Sequence, residues 1–211
     1  MSSEFTIEIC QEILNMEQTD LSTLKNLEDQ GELKKYGYHP AMEKVHLQNS
    51  HRLKKIINKY GFPTIDKVGE KVHIAAWRIV QHAISDPSFM CDCYRLIQSG
   101  SKTKIPLKSI AYLSDRISFF RRKPQKYGTQ FDYGLNGKFG VWWLEMPQNI
   151  DALRVNAGLP PLKKVEQYFS NNEDISEAQA LKMRSEQEAW LMKVGWCTMD
   201  DIIYCKRFYG N

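Results

Sequence analysis

His82 stands three residues past Ile79 and shares a helical stripe with Val72, Ala75 and Ala76. An imidazole in that apolar setting needs a hydrogen-bond partner and can act as a general base or acid. Asp86, one turn further on, would be its orienting carboxylate; Asp86 before Pro87 is also the pattern of an N-cap at a helix start. Asp115-Arg116 is the second chemical feature. A guanidinium beside a carboxylate can hold a phosphate or carboxylate bidentately, or serve as a structural ion pair between helices. The third is Gln125-Lys126-Tyr127-Gly128-Thr129-Gln130. Gly128 permits a tight turn or a close backbone approach, and the hydroxyls and amides around it suit a pocket lining.

Other chemistries find less support. The remaining histidines are His39, His46, His51 and His73. His46 and His51 are five apart and His73 and His82 nine apart, so no pair shares a helical face at ligand spacing and no metal site is expected. Cys10, Cys91, Cys93, Cys197 and Cys205 are odd in number and scattered, which suits structural thiols in a reducing compartment. The chain has no Gly-rich phosphate loop, no GxSxG and no HExxH.

The 211 residues, 42% hydrophobic and 26% charged, have the balance of a soluble globular protein, with five Trp, ten Tyr and nine Phe to build a core. No apolar run is long enough to span a membrane. Glu4, Glu8 and Glu12 stand where a secretory leader needs a basic start and an apolar run, so a cytoplasmic location is expected, with delivery by a specialised secretion system compatible with it. The net charge of +4 is too small to argue for nucleic acid. Its distribution is uneven: residues 1–33 hold eight acids against Lys25, and residues 102–126 hold eight cations against Asp115. Within the latter, Arg121-Arg122-Lys123 reads as a solvated helix end with cations at its C-terminus, or as a phosphate contact.

These residues must be positioned mainly by helices. Periodicity predicts a helix over 4–17, a short one after Asp20, and others over 41–60, 69–84, 87–99 and from Pro106 onward. Gly61 and Gly100 are placed as stops. Gln130–Tyr133 and Lys138–Trp143 flank Asn136-Gly137, which predicts a β-hairpin near 129–144. Helices follow over 150–157, 161–169, 176–193 and 199–208, separated by Gly158, Asn171-Asn172 and Gly195. The fold class is mainly α: a compact multi-helix domain with one β-hairpin.

The ordered motifs Asn49-Ser50-His51-Arg52-Leu53-Lys54, Tyr60-Gly61-Phe62-Pro63-Thr64, Val68-Gly69, Ala75-Ala76-Trp77 and Val80-Gln81-His82-Ala83 through Asp86-Pro87 form a specific series. It continues with Tyr112-Leu113-Ser114-Asp115-Arg116, the Gln125–Gln130 loop, and Asp151-Ala152-Leu153-Arg154 leading to Ala157-Gly158-Leu159-Pro160-Pro161-Leu162. Over about residues 41–165 the chain resembles a family of bacterial proteins catalogued as a domain of unknown function. The resemblance implies a core domain over 41–169 with helical extensions at 1–40 and 170–211, and it brings no activity. The family pattern carries Asp where Ile84 stands and Gln where Met90 stands.

The leading expectation is a small enzyme, a hydrolase or group transferase acting on an anionic substrate. His82, Asp115 and Arg116 would be catalytic: His82 would move a proton and Arg116 would hold the anion. Gln125, Tyr127, Gly128, Thr129 and Gln130 would bind the substrate, with Gln81, Asp86 and Arg154 supporting them. No cofactor is specified. The alternative is a non-catalytic interaction module, such as an immunity, adaptor or effector protein, binding a protein partner through its acidic termini.

Overall fold

In the computed structural model, the described residues are 4–33, 38–99, 105–169 and 172–209. Gly100, Lys102, Lys104 and Asn171 lie outside them. The chain divides into two compact units, Met1–Pro106 and Leu107–Asn211.

The first unit contains α1 (Ile7–Asp29), α2 (Pro40–Tyr60), α3 (Ile65–His82) and α4 (Pro87–Ser99). Helix α1 is continuous where the sequence predicts a break near Asp20. The polar run Thr19–Thr23 fails to break it for two reasons. The Thr19 and Thr23 hydroxyls donate to carbonyls one turn back, those of Asn15 and Thr19. Asp20, instead of capping a new helix, is buried and bonded to other helices. Gly61 ends α2 as expected, its N–H donating to the Ile57 carbonyl at a φ of 78°. Helix α3 starts earlier than predicted, and Gly69, at φ 76°, kinks it. Ala75 and Ala76 are fully buried on α3, and their small side chains let α1 and α2 pack closely against it. Ile13, Leu53, Ile56, Ile79 and Val80 complete this core, each worth roughly 1.5–3 kcal/mol by burial.

The second unit contains α5 (Leu107–Phe120), β1 (Phe131–Tyr133), β2 (Phe139–Val141), α6 (Ile150–Asn156), α7 (Leu162–Glu166), α8 (Glu177–Val194) and α9 (Met199–Tyr209). The hairpin is antiparallel with Tyr133 opposite Phe139. Its connection is longer than the two-residue Asn-Gly turn, closing by Gly134 N–H donating to the Lys138 carbonyl. Ser176 and Gln179 form a capping box at the start of α8, and Gly195 ends it in the left-handed region.

The basic run after α5 is neither a solvated helix end throughout nor an exposed phosphate contact. Arg122 is fully buried, between exposed Arg121 and Lys123. It takes the left-handed position, φ 56°, of a Schellman motif in which its N–H bonds the Phe119 carbonyl and that of Lys123 bonds Ser118. Its guanidinium lies 5.2 Å from the Trp142 ring centroid, that of Arg184 lies 4.9 Å from it, and Phe119 meets the same ring edge-on.

All five cysteines are free thiols; Cys10 is partly exposed and the other four are buried, with the Cys93 thiol pushed up strongly by burial. In the native protein a water-soluble alkylating reagent is expected to label Cys10 first, the other four following only on unfolding. Mass spectrometry of briefly treated protein checks this; early labelling of Cys93 contradicts it.

Candidate functional site

The predicted site residues separate into two groups with different work. In the second unit, Asp115, on α5, is completely buried. Its carboxylate accepts from the backbone N–H groups of Lys126 (2.9 Å), Tyr127 (3.1 Å) and Thr129 (3.0 Å), and from the Thr129 hydroxyl (3.1 Å). Burial pushes its carboxyl above the ordinary range, against the downward pull of those bonds. Arg154, on α6 and 2% exposed, takes the other polarity of the same loop. Its guanidinium donates to the carbonyls of Tyr127 (2.7 Å), Gly128 (2.9 Å) and Pro160 (2.6 Å). The loop is thus held by an acid on its N–H groups and a guanidinium on its carbonyls.

Gln125 is equally committed. Its amide donates to the carbonyls of Gln130 and Trp142 and accepts from the Gln130 N–H, each at 2.9 Å. Gln130 donates its side-chain amide to the Thr129 hydroxyl. Gly128 sits at φ 65°, where a Cβ would meet Leu144, Leu162 and Ile150 at 3.3–3.5 Å. Tyr127 packs on Ala111, Ala157 and Leu159. These contacts close a turn against the core, and most of the polar groups expected to line a pocket take part in holding it. Arg116 lies on α5, its guanidinium brought down to about 10 by burial.

In the first unit His82 ends α3, and its orienting carboxylate is Asp20 rather than Asp86. Asp86 caps α4, its carboxylate accepting from the Phe89 N–H (3.1 Å) and the Ser88 hydroxyl (2.9 Å). Gln81 is buried on α3. His82 Nδ1 lies 2.5 Å from Asp20 Oδ2, and His46 Nε2 on α2 lies 3.0 Å from Asp20 Oδ1. One carboxylate therefore joins two imidazoles, whose ring centroids are 5.0 Å apart. Asp20 is 1% exposed; burial opposes its charge, and the hydrogen bonds and charges of His46 and His82 outweigh that and hold its carboxyl far below the usual range. The His46 side chain is 9% exposed and that of His82 30% exposed, so His82 is the member of the cluster that meets solvent.

Behind His46 the network continues. The Tyr38 hydroxyl lies 2.5 Å from His46 Nδ1, and nearby the Ser85 hydroxyl donates to Glu43 at 2.7 Å. Burial, reinforced by the charge of Glu43, pushes the Tyr38 phenol well above its ordinary value. One helical turn before His82, Arg78 pairs with Glu17 of α1.

Asp20, His46 and Tyr38 were not singled out by sequence reasoning, because a search for ligand spacing within one helix misses a cluster drawn from three. A signal was present. Ile13, Asp20 and Leu27 are spaced by seven on one buried face of α1, and His46 lies between Met42 and Leu53 on the buried face of α2. A polar group on an apolar stripe demands a partner.

The DUF6624 family, described as a family of unknown function, matches residues 7–183. The chain belongs to this family. The DUF6624 match takes in α1, and with it Asp20, as well as His46, His82 and the Asp115–Arg154 loop clamp. No functionally described protein and no solved structure matches the chain. The acidic N-terminal segment, read as an appendage, contributes Ile13 and Asp20 to the interior of the first unit. Among the described residues, no helix is long and apolar enough to cross a membrane.

Proposed function

We propose that the chain is a hydrolase or group transferase whose reacting centre is Asp20, His46 and His82 in the first unit. The observation that carries this reading is a partly exposed imidazole backed by a buried carboxylate that a second imidazole also engages. With Nδ1–H donated to Asp20, His82 carries its lone pair on Nε2, the tautomer a general base requires. A water or substrate hydroxyl attacking an ester or phosphoester gives its proton to Nε2. The resulting imidazolium is stabilised by Asp20 and returns the proton to the leaving oxygen as the scissile bond breaks, so charge and protons balance.

Arg78 is the cation that this reading offers to an anionic substrate. It lies four residues before His82, hence on the same helical face, with its guanidinium oriented by Glu17. The loop over 125–130 has no part in this reading, since its backbone groups, the Gln125 amide and the Thr129 hydroxyl are engaged by Asp115, Arg154 and one another.

The test is turnover of p-nitrophenyl phosphate, bis(p-nitrophenyl) phosphate and p-nitrophenyl acetate by wild type and His82→Ala. Wild type is expected to turn over at least one. His82→Ala, with unchanged circular dichroism, loses roughly 10³-fold to 10⁴-fold, the upper end of the contribution of a positioned proton-transfer group. Turnover of none by wild type, or equal rates in the folded variant, overturns the reading.

A further inference from the structure

The cluster around Asp20 leads to a second conclusion. Its carboxylate gathers imidazoles from two further helices, and His46 is held at both ring nitrogens, Nδ1 by the Tyr38 hydroxyl at 2.5 Å and Nε2 by Asp20 at 3.0 Å.

Three ligand atoms converge in this cluster. One donor atom each from Asp20, His46 and His82 lies within 4.8 Å of the other two. Tetrahedral coordination at the usual bond lengths of about 2.0–2.2 Å separates ligand atoms by roughly 3.3–3.6 Å, so small side-chain movements suffice. We propose that Asp20, His46 Nε2 and His82 Nδ1 form a binding site for one divalent transition-metal ion of the zinc class. With Nε2 on an ion, His46 would carry its proton on Nδ1, facing the Tyr38 oxygen. The outer hydrogen bond that a metal-bound imidazole requires is then supplied by Tyr38.

Two nitrogens and one carboxylate select zinc, cobalt, iron(II) or manganese over calcium and magnesium, which take oxygen ligands. Three protein ligands leave a coordination position open, the pattern of catalytic metal sites, and the partly exposed His82 marks the side from which water reaches it. The C-terminal end of α3, where His82 stands, also favours a cation. This inference rests on the proposed reacting centre and names its cofactor: an ion held there would make His82 a ligand and would supply the activation of water in place of the base role of its Nε2.

The test uses full-length protein freed of metal with EDTA, then titrated with zinc by calorimetry and with cobalt(II) by visible absorption. One ion per chain is expected, with cobalt giving the intense d–d bands of low-symmetry nitrogen and oxygen coordination, and magnesium giving no uptake. His46→Ala and His82→Ala are expected to weaken binding at least 100-fold, while His51→Ala, on the exposed face of α2, binds as wild type does. Should a variant fail to fold, the cobalt spectrum of wild type decides alone, since coordination by exposed carboxylates and water gives only weak bands. No uptake by wild type, or uptake unchanged in folded His46→Ala and His82→Ala, overturns the metal site. Turnover that persists in EDTA leaves His82 as the base and defeats the metal alone. Tight binding without turnover of any ester defeats the proposed reaction alone.

Discussion

Replacing Asp115 with Asn is expected to lower the stability of the second unit by about 3 kcal/mol, a fall in Tm on the order of 15 °C for a unit of this size. The carboxylate gathers four donors: three backbone N–H groups and one hydroxyl. An amide keeps only one oxygen to accept them and turns an NH2 group toward the rest, so buried donors lose their partners and two face a donor instead. Arg154 holds the same turn through its carbonyls. Loosening one side strains the other, and Asp115 and Arg154 are expected to couple in a double-mutant cycle. Four of the five tryptophans, Trp142, Trp143, Trp190 and Trp196, lie in the second unit, so a melt followed by tryptophan fluorescence reports on it. A Tm within 2 or 3 °C of wild type, roughly 0.5 kcal/mol for a unit of this size, would show that the clamp does not hold the turn.

Asp20→Asn is expected to reduce turnover by roughly 10³-fold to 10⁴-fold, the loss typical when an amide replaces the carboxylate that fixes a catalytic imidazole. In the wild type, two imidazoles direct their nitrogens at the two oxygens of Asp20. An Asn can accept at one and must donate at the other, which forces one ring into the opposite tautomer and removes the charge that stabilises an imidazolium. With a metal in the site, the same change removes its only anionic ligand. Asp86→Asn distinguishes Asp20 from the carboxylate nearest to His82 in sequence. Asn caps a helix as well as Asp does, so this variant keeps α4 and its turnover stays within about twofold of wild type. A loss in Asp86→Asn as large as in Asp20→Asn would return the orienting role to Asp86. The rates come from the ester assay under matched conditions, with circular dichroism to establish that each variant is folded.

Much of the fold was legible because helices declare themselves locally. The stripe through Ala75, Ala76 and Ile79, the stop at Gly61 and the cap at Asp86 each follow from a few neighbouring residues. The break expected after Asp20 did not follow, since the fate of its carboxylate depends on His46 and His82, 26 and 62 residues away. The same distance hid the site. His82 shows in the sequence as a polar residue on an apolar stripe whose nearest carboxylate is Asp86; the carboxylate that reaches it comes from another helix.

The sequence by itself determined a mainly α chain with one hairpin, its punctuation, and the chemical residues worth weighing, because helix periodicity, caps and turns are short-range properties. Only the tertiary structure decided which polar groups serve each other. Asp115, Gln125 and Arg154 are spent on holding a turn, whereas Asp20, His46 and His82, on three helices, meet around one carboxylate. The physical reason is that a buried polar atom must find a partner, and in a packed helical unit the partner is set by which helix faces meet rather than by order along the chain.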